Sequence, residues 1–422
     1  ARRVRRRQRN SLPLARKDRY IVGVDIGSTK TCVLVCQVSP ETGKLEVAGL
    51  GRAESKGWRK GIIANLDAAV LSIKKAEEEA ETAAGVPVDS AYVGVAGPHI
   101  KGVNSRGALV LGKTSNPNRE VTPDDIRKVL LTAKSITLPP DRELVHVLPQ
   151  EYLLDSQNGI RDPIGMLGAR LEANVHLITA SAIATQNVVT AVNRAGIVVQ
   201  DTVYEPIAAA EACLSADERE LGVALVDIGG GSSDLIIYYQ GTVRHTAVIP
   251  VGGDHFNNDI AVGLRTPIPE AEKMKRLWGE RDPARPGTDA MEVPSVGERP
   301  ARVATYAMLS EIIEPRALEL LELLQAELER SGFAKQLGAG VVLCGGGAKL
   351  GGLPTLAEQM LGLPVRIGRP TGLLKMGDIL PDPAYAAVVG LVGYGNRMRH
   401  LRGGRESSWT GKLWNALRGK TN

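Results

Sequence analysis

The sequence predicts an α/β protein built from two related halves, each with its own sheet. The first observation is a repeat: residues 20–35 and 222–237 each show an apolar strand, an Asp-Ile-Gly turn with small polar residues, and a second apolar strand. The second is spacing, since Asp25 and Asp227 stand about half a chain apart, as in duplicated halves. The third is that helical patterns and further apolar strands fill the sequence between the repeats.

The bulk composition is that of an ordinary globular chain. Of 422 residues, 43% are hydrophobic and 23% charged, enough for a large buried core. No apolar run approaches the roughly 18 residues of a membrane span, and the N-terminus has no apolar core region, so we expect a cytoplasmic protein. The four cysteines form no C-x-x-C pair and the six histidines are scattered, which favours buried reduced thiols over a metal site.

The positive net charge of +5 is concentrated in an N-terminal tail, residues 1–18. Residues 1–19 carry nine Lys or Arg and one Asp, so the rest of the chain is mildly acidic. Such a block is typical of a disordered, solvated segment, with attraction to anionic lipid as the functional alternative. Nucleic acid is not favoured, because no aromatic residues interleave with these arginines.

Helical periodicity and apolar runs predict the other elements. Residues 99–170 look irregular apart from one helix, and could form an inserted subdomain. In the first half we expect helices over 66–84, 121–134 and 182–194, and strands over 91–95, 177–180 and 198–203. In the second half we expect a helix over 304–329, with a possible break at Pro315, a loop over 279–300, a strand from Gly340 and a small-residue helix over 384–395.

The two hairpin turns are the best candidates for a phosphate site. A turn rich in Gly, Ser and Thr exposes several backbone N–H groups in one concavity, which binds phosphate oxygens without side-chain obstruction. Ser28 and Thr29 add donors and Lys30 adds a cation. Asp25 and Asp227 precede the turns, where the hydration shell of Mg²⁺ would lie, and Mg²⁺ needs only one or two carboxylates. One such hairpin is weak evidence, whereas two in register indicate a shared site.

Two further segments carry candidate functional residues. Glu205 follows a predicted strand and opens a helix with Pro206 in its first turn, so its carboxylate would face the cleft; a helix N-terminal charge favoured by the dipole is the plain alternative. Gly345, Gly346 and Gly347 follow an apolar strand and would let the backbone approach a flat ligand such as adenosine. An ordinary tight strand–helix turn is the alternative there.

The order of these segments resembles the actin, Hsp70 and sugar-kinase superfamily, with its ribonuclease H-like fold, over residues 19–395. The order is hairpin with Asp, Glu-Pro-x-Ala-Ala, hairpin with Asp, Gly-Gly-Gly, and an Ala/Gly helix. The resemblance implies that ATP and Mg²⁺ bind between the halves, with Asp25 and Asp227 facing the metal, and Glu205 and Asp227 polarising the attacking water in a slow hydrolysis. It assigns nucleotide binding to Asp25, Gly27, Ser28, Thr29 and Lys30; to Gly229, Gly230, Gly231, Ser232 and Ser233; to Gly252, Gly253, Glu270 and Lys275; and to Gly345, Gly346, Gly347 and Ala348.

The C-terminal residues 409–420 predict an amphipathic helix. Its apolar residues fall at offsets that share one helical face, and its polar side is basic. A short isolated helix is marginal in water, and this composition suits a lipid interface, with packing on the body or in a protein groove as alternatives. Residues 396–408, which are rich in arginine, would form a flexible linker. The apolar face consists of Trp409, Leu413, Trp414 and Leu417.

An actin-like body with a linker and a terminal amphipathic helix resembles the FtsA family of bacterial division proteins. Residues 57–63 and 312–316 also resemble that family, whereas the Arg-rich residues 1–10 and the Pro-rich loop near 285 depart from it. The resemblance implies a protein that polymerises at the cytoplasmic face of the inner membrane, at the division site, and binds no nucleic acid. It implies a groove, lined by Arg316, for the C-terminal tail of the tubulin-like GTPase FtsZ, and contacts with other divisome proteins through a 1C subdomain.

The same resemblance divides the chain into subdomains. The expected boundaries are 19–87 and 171–220 for subdomain 1A, 88–170 for the inserted 1C, 221–266 and 340–380 for 2A, 267–339 for 2B, and 381–395 for the last helix of 1A.

Other members of the superfamily make different predictions. A PilM-like scaffold of a pilus or secretion assembly would share the body but lack the Trp-Leu terminal helix. A chaperone of the Hsp70 type would need a substrate domain after residue 395. A sugar or acetate kinase would need a catalytic base and a substrate pocket in the first half, and the sequence offers no convincing base. A scaffold protein that works independently of nucleotide would not bind Mg-ATP.

Overall fold

The computed structural model describes residues 19–403, except for 40–41, 60, 113–117, 281–289 and 298–299. The predicted basic tail and the predicted terminal helix, with Trp409, Leu413, Trp414 and Leu417, lie outside the described residues. Within them, no helix is both long enough and apolar enough to cross a membrane. All four cysteines are buried and free, as predicted.

The described residues alternate strands with helices. In chain order the strands are β1 (Tyr20–Ile26), β2 (Lys30–Val38), β3 (Leu45–Glu54), β4 (Trp58–Arg59), β5 (Ile62–Ile63), β6 (Ser90–Val95), β7 (Lys101–Val110), β8 (Arg119–Glu120), β9 (Arg142–Leu154), β10 (Gln157–Ile160), β11 (Leu167–Gly168), β12 (Arg170–Ser181), β13 (Val198–Tyr204), β14 (Val223–Ile228), β15 (Ser233–Tyr239), β16 (Thr242–Ile249), β17 (Ala290–Val293), β18 (Arg302–Thr305), β19 (Val341–Cys344) and β20 (Val365–Ile367). The helices are α1 (Leu66–Ala84), α2 (Pro123–Lys134), α3 (Ala182–Ala195), α4 (Glu205–Cys213), α5 (Ala216–Leu221), α6 (Gly253–Leu264), α7 (Ile268–Glu280), α8 (Tyr306–Ser331), α9 (Leu353–Leu361) and α10 (Ala386–Gly403).

The two halves contain five-stranded sheets of one topology, which confirms the predicted duplication. The strand order is β3-β2-β1-β6-β13 in the first half and β16-β15-β14-β19-β20 in the second. In each sheet the first three strands of the half are antiparallel and the other two join in parallel. Tight turns link the antiparallel strands, and the parallel strands follow helical crossovers. The central strands β1 and β14 are nearly continuous buried runs, as expected between covered faces.

Helices α4 and α10 pack against each other between the two sheets. One hydrophobic core holds Ala208 of α4 and Val388 of α10 together with Val24 of the first sheet and Leu225 of the second. The helices approach closely at Gly390, where a Cβ atom would lie 1.7 Å from the carbonyl oxygen of Ala208. The small residues of both helices therefore set the distance between the halves.

The inserted region is regular, so the expectation of an irregular 99–170 is wrong. A four-stranded sheet, in the order β10-β9-β12-β7, carries α2 and has its own core. The sequence pattern missed β7 because most of its side chains are exposed or half-buried, and because it pairs with β12, across residues 101–110 and 170–179. A strand whose partner lies far along the chain shows little strand pattern in its own sequence.

Three predictions in the second half and the C-terminal region are corrected. Helix α8 is continuous through Pro315, since its buried face continues on both sides of that residue. The loop expected over 279–300 contains strand β17, which pairs with β18. The last helix, α10, extends to Gly403, so the flexible linker predicted for 396–408 is wrong at its beginning. There Met398 is only 2% exposed, and Arg397 pairs with Glu211 at 3.3 Å, so packing rather than solvation governs the arginine-rich segment.

Candidate nucleotide site

The two hairpins repeat each other in detail. The amide of Gly27 donates to the carbonyl oxygen of Lys30 at 3.0 Å, and the amide of Gly229 donates to that of Ser232 at 2.9 Å. In the strand registers Asp25 lies opposite Cys32, and Asp227 lies opposite Asp234. The two turns are therefore equivalent, and Asp25 and Asp227 occupy the same strand position.

The two turns meet across a cleft. A Cβ atom on Gly230 would lie 2.5 Å from the hydroxyl oxygen of Thr29, so the second turn approaches the first closely only because residue 230 is glycine. Gly27 and Ser28 of the first turn and residues 229–232 of the second line one cleft, whose empty volume is about 670 Å³ when the space open to solvent is included. Glu205 and Asp227 line the same cleft.

Several carboxyl groups lie together in or beside this cleft. Burial raises the pKa of Asp25 to about 6, although the charge of Lys30 opposes the shift. Burial, then Asp234 and Asp25, raise the pKa of Asp227 to about 7. Burial and the neighbouring acids raise the pKa of Glu205 well above its usual value. The cleft thus holds acids that lack enough counter-charge from the protein, an environment that a bound cation would relieve.

The donor set fits Mg²⁺ with help from a ligand. Across the described residues, no three His, Cys, Asp or Glu side chains are grouped so that they could hold a metal ion alone. Mg²⁺ differs from most protein-bound metals in keeping several waters and using one or two carboxylates plus phosphate oxygens. Asp25 and Asp227 would provide those carboxylates.

Asp234 is a cleft residue that sequence reasoning missed. It lines the cleft, is 5% exposed, and accepts hydrogen bonds from the hydroxyls of Ser232 at 3.2 Å and Tyr204 at 3.4 Å. It also accepts a hydrogen bond from the backbone of Gly97, so it links the second half to the start of the inserted region. The sequence could have identified it, because a predicted hairpin places Asp234 opposite Asp227, whereas the equivalent position of the first hairpin is Cys32.

Glu205 is positioned by the start of α4 and by a glycine opposite it. Glu205 is the first residue of α4, which places its partly buried carboxyl at the cleft. A Cβ atom on Gly94 would lie 2.7 Å from one carboxyl oxygen of Glu205. Any larger residue at position 94 would displace this side chain.

The side chain of Lys30 contacts the segment just before α10. Its ammonium group donates to the carbonyl oxygen of Ala384 and stands 3.6 Å from the ring centroid of Tyr385. It remains near enough for its charge to lower the pKa values of Asp25 and Asp227 against the effect of burial. In this structure it acts on the acids through space.

The remaining residues that the resemblance assigned to nucleotide binding, Gly252, Gly253, Glu270 and Lys275, fall into two groups by their contacts. Gly253 and the following residue donate to the carbonyl oxygens of Gly229 and Gly230, each at 2.8 Å, which joins the start of α6 to the second turn. Lys275 donates to the carbonyl oxygen of Gly253 at 3.1 Å, so it belongs to the same cluster as Gly252 and Gly253. Glu270 instead pairs with Lys273 of its own helix at 2.7 Å.

The three consecutive glycines have different roles in packing. Gly345 has a φ of 81°, and a Cβ there would lie 2.3 Å from a carboxyl oxygen of Asp227. A Cβ on Gly347 would lie 2.3 Å from the side chain of Ile228. A tight turn against the second hairpin therefore accounts for these two glycines. Apart from its chain neighbours, no described residue has an atom within 4 Å of the Cβ position of Gly346, and Ala348 is buried.

Arg316, the predicted partner-binding residue, lies on α8 in an ion pair. Its guanidinium donates to the two carboxyl oxygens of Asp259 at 2.6 and 3.1 Å and also contacts Glu319. These contacts fix the side chain on the surface of the second half.

Comparison with known proteins connects this geometry to a family. A family model described as "Cell division protein FtsA" matches residues 224–390, and one described as "SHS2 domain inserted in FTSA" matches 97–179. The chain is 44% identical to the cell division protein FtsA of Pseudomonas aeruginosa over 378 residues, 89% of each chain. It is 38% identical to that of Neisseria meningitidis, covering 90% of this chain and 91% of the relative, and 38% identical to that of Escherichia coli K12, covering 92% and 93%.

Solved structures show the same fold at lower sequence identity. The PilM-PilN type IV pilus biogenesis complex contains a chain with a TM-score of 0.64 at 20% identity, over 89% of this chain and 98% of that one. MreB5 of Spiroplasma citri bound to ADP gives a TM-score of 0.56 at 15% identity, over 91% and 98%. These likenesses establish the actin-like, two-lobed fold and nothing finer.

Proposed function

The chain belongs to the FtsA family of cell division proteins, and from that premise we propose that it is an ATP-binding, actin-like filament protein that holds FtsZ at the membrane. It would act at the cytoplasmic face of the cell membrane, at the division site. The observation that carries the ATP-binding part is the contact between equivalent hairpin turns of the two halves, at Thr29 and Gly230.

The residues of the cleft fit a nucleoside triphosphate with Mg²⁺. Backbone amides and hydroxyls of residues 27–29 and 229–233 would bind the phosphates from both sides, and Asp25 and Asp227 would face the metal. The adenosine would lie toward residues 345–348 and the cluster of Gly252, Gly253 and Lys275. ATP, when bound, supplies the charged bridge that makes closure of the halves favourable.

We expect hydrolysis to be slow. Glu205 and Asp227 are the groups placed to orient a water. Beside Mg²⁺ their carboxyl groups would be ionised, and a carboxylate of ordinary pKa is a weak general base at pH 7. Turnover by unpolymerised protein above about 1 s⁻¹, the low end of kinase-like rates, would contradict this proposal.

A methyl group placed between the two turns tests nucleotide binding. Gly230→Ala should weaken Mg-ATP binding at least about tenfold, because the new methyl group displaces Thr29 from the second turn. Gly393→Ala is the matched control, since its methyl group would make only an ordinary 3.4 Å contact with Glu211. Isothermal titration measures both, and a wild-type protein that does not bind Mg-ATP would refute the proposal.

Filament formation and divisome contacts are assigned to the body and the inserted domain. The inserted sheet has its own core and touches the second half: the Gln150 amide donates to the carbonyl oxygen of Val243 at 2.9 Å, and His176 bonds to Thr246 at 2.8 Å. An independent core attached to both halves is a suitable platform for a neighbouring subunit or another divisome protein. Pelleting with and without Mg-ATP tests polymerisation, and loss of pelleting is expected when residues 97–179 are removed.

Membrane attachment is assigned to residues 409–420 on the sequence pattern. Each buried Trp or Leu contributes roughly 1.5–3 kcal/mol to insertion. Trp414→Glu should therefore release the protein from anionic liposomes, whereas Asn415→Glu, on the predicted polar side, adds the same charge and should leave it bound. Co-sedimentation of full-length protein, residues 1–405 and both variants decides the matter; binding by Trp414→Glu would exclude this helix as the anchor.

The same liposomes test the FtsZ contact. We propose that the tail of FtsZ binds subdomain 2B, residues 267–339, beside Arg316. Arg316→Glu should then stay on the liposomes but lose co-sedimenting FtsZ, because the substitution places a third acid beside Asp259 and Glu319. Unchanged recruitment of FtsZ would remove Arg316 from the proposed surface.

A PilM-like role is not favoured. The likeness to PilM rests on the fold at 20% identity, whereas the curated relatives at 38–44% identity are cell division proteins.

A further inference from the structure

We propose that Trp58 and His99 bind the terminal phosphate of the nucleotide, so that the short hairpin β4–β5 distinguishes ATP from ADP. This inference rests on the proposed nucleotide binding and adds residues that the family resemblance did not assign. It follows from the direction of the cleft, from buried polar nitrogens at one end of it, and from glycines that hold the hairpin in place.

The cleft extends away from the adenosine side. Its lining includes the two phosphate turns and Glu205, and continues to Trp58, Ile62 and His99. None of residues 252–253, 275 and 345–348 belongs to that lining. A nucleotide whose adenosine lies among those residues therefore reaches Trp58 and His99 only with its last phosphate.

Two side chains of the cleft lining contain buried polar atoms without partners among the described residues. The indole nitrogen of Trp58 and both ring nitrogens of His99 are buried and form no hydrogen bond with any described residue. Buried polar groups in that state are unfavourable unless a ligand or water satisfies them. Three such atoms along one cleft indicate a place built to meet a hydrogen-bonding group.

The chemistry of these atoms fits phosphate oxygens. The indole N–H is a donor only, and a neutral imidazole offers one donor, whereas phosphate oxygens are acceptors. Burial and the nearby charge of Arg142 lower the pKa of His99, so the ring is neutral at pH 7. The neighbouring lining is apolar, from Ile63 and Val188, and Ile62, which is 47% exposed, lies at its solvent-facing rim. Apolar surroundings strengthen any hydrogen bond formed there.

Glycines hold the hairpin at the rim of the cleft. Gly57 has a φ of 82°, and a Cβ there would lie 2.2 Å from the carbonyl oxygen of Asn65, before α1. Gly61 has a φ of 76° and packs on Gly97 and Pro98. The amide of Gly97 in turn bonds to Asp234 of the second phosphate hairpin. Trp58 is thus fixed relative to both halves.

The test compares a triphosphate analogue with a diphosphate. Isothermal titration of Mg-AMPPNP and Mg-ADP is done with wild type, Trp58→Phe, His99→Gln and the control Trp278→Phe, whose indole donates to Ser310 at 2.9 Å and does not line the cleft. Trp58→Phe and His99→Gln should each weaken AMPPNP about 5–10-fold and change ADP affinity by less than about twofold. Tryptophan fluorescence gives an independent signal: the difference in emission between the AMPPNP-bound and ADP-bound protein should be present in Trp278→Phe and absent in Trp58→Phe.

Each other result contradicts the inference. If both cleft variants keep the wild-type ratio of AMPPNP to ADP affinity, or lose both ligands equally, Trp58 and His99 do not recognise the terminal phosphate. If wild type binds neither nucleotide, the proposed ATP site itself is wrong. Normal ADP binding by the variants shows that they are folded.

Discussion

Single residues in the cleft make the stability of the ligand-free protein depend on pH. The pKa values of Asp25, Asp227 and Asp234 are raised to about 6, 7 and 6 from a model-compound value of 3.8. The folded state therefore binds these protons more tightly than the unfolded state. Their contribution to stability is fully present below about pH 4 and is lost as the pH rises through 6 to 7.

Asp227→Asn should remove part of this pH dependence. Without Mg²⁺ or nucleotide, the variant should melt about 1–2 °C above wild type at pH 8, corresponding to roughly 1 kcal/mol, and near wild type at pH 4. The reason is that asparagine carries no charge that must be buried. Calorimetry between pH 4 and 8 measures the difference. Asp67→Asn, at the exposed start of α1, is the control, and an equal pH slope in wild type and Asp227→Asn would contradict the prediction.

At the scale of elements, α2 of the inserted domain depends on one buried carboxylate. Asp125 accepts two hydrogen bonds from Arg119, each at 2.6 Å, and caps the helix by accepting from the amide of Thr122 at 2.9 Å. These bonds, led by the one from Arg119, hold the pKa of Asp125 well below its usual range. The stability that they provide is fully present above about pH 4, the pKa of the unfolded state, and is lost progressively as the pH falls from there toward the lowered pKa of the folded state.

Asp125→Ala should therefore destabilise α2 by about 2–3 kcal/mol, because it leaves Arg119 without its carboxylate partner and removes the Asp125 half of the capping box. Hydrogen exchange of the α2 amides in the full chain measures the local effect without assuming two-state unfolding. Asp124→Ala, one residue earlier and 49% exposed, should change exchange by less than about 0.5 kcal/mol. Equal effects of the two substitutions would show that the Arg119 pair contributes little.

At the scale of the whole molecule, the crossing of α4 and α10 sets how the two halves meet. Gly390→Ala would place a methyl group into the backbone of Ala208, so the helices must separate. We expect a loss of roughly 2–3 kcal/mol in unfolding free energy, seen as a lower melting temperature. Gly393→Ala lies one turn away on the same helix and should be neutral or stabilising by up to about 1 kcal/mol. A Gly390→Ala protein as stable as Gly393→Ala would mean that the crossing adjusts freely.

Much of the architecture could be predicted from local sequence. The bounds of α1 were predicted correctly, because its cap, Asn65, its apolar period and its stop, Gly85, lie within the segment itself. The inserted sheet could not be predicted, because β7 pairs with β12 and both depend on contacts far along the chain. The arginines after residue 396 suggested a flexible linker. Met398 is buried in the core, however, and α10 therefore extends past residue 396.

By itself, the sequence determined that the protein has two related halves, each with an aspartate before a glycine-rich turn, in the order of the actin-like superfamily. Only the tertiary structure decided that Thr29 meets Gly230, that Asp234 joins the cleft, and that Trp58 and His99 stand at its far end. The physical reason is that strands and turns follow from neighbouring residues, whereas the cleft forms between segments about half a chain apart. Their alignment depends on close packing of helices between the sheets, which no local pattern specifies.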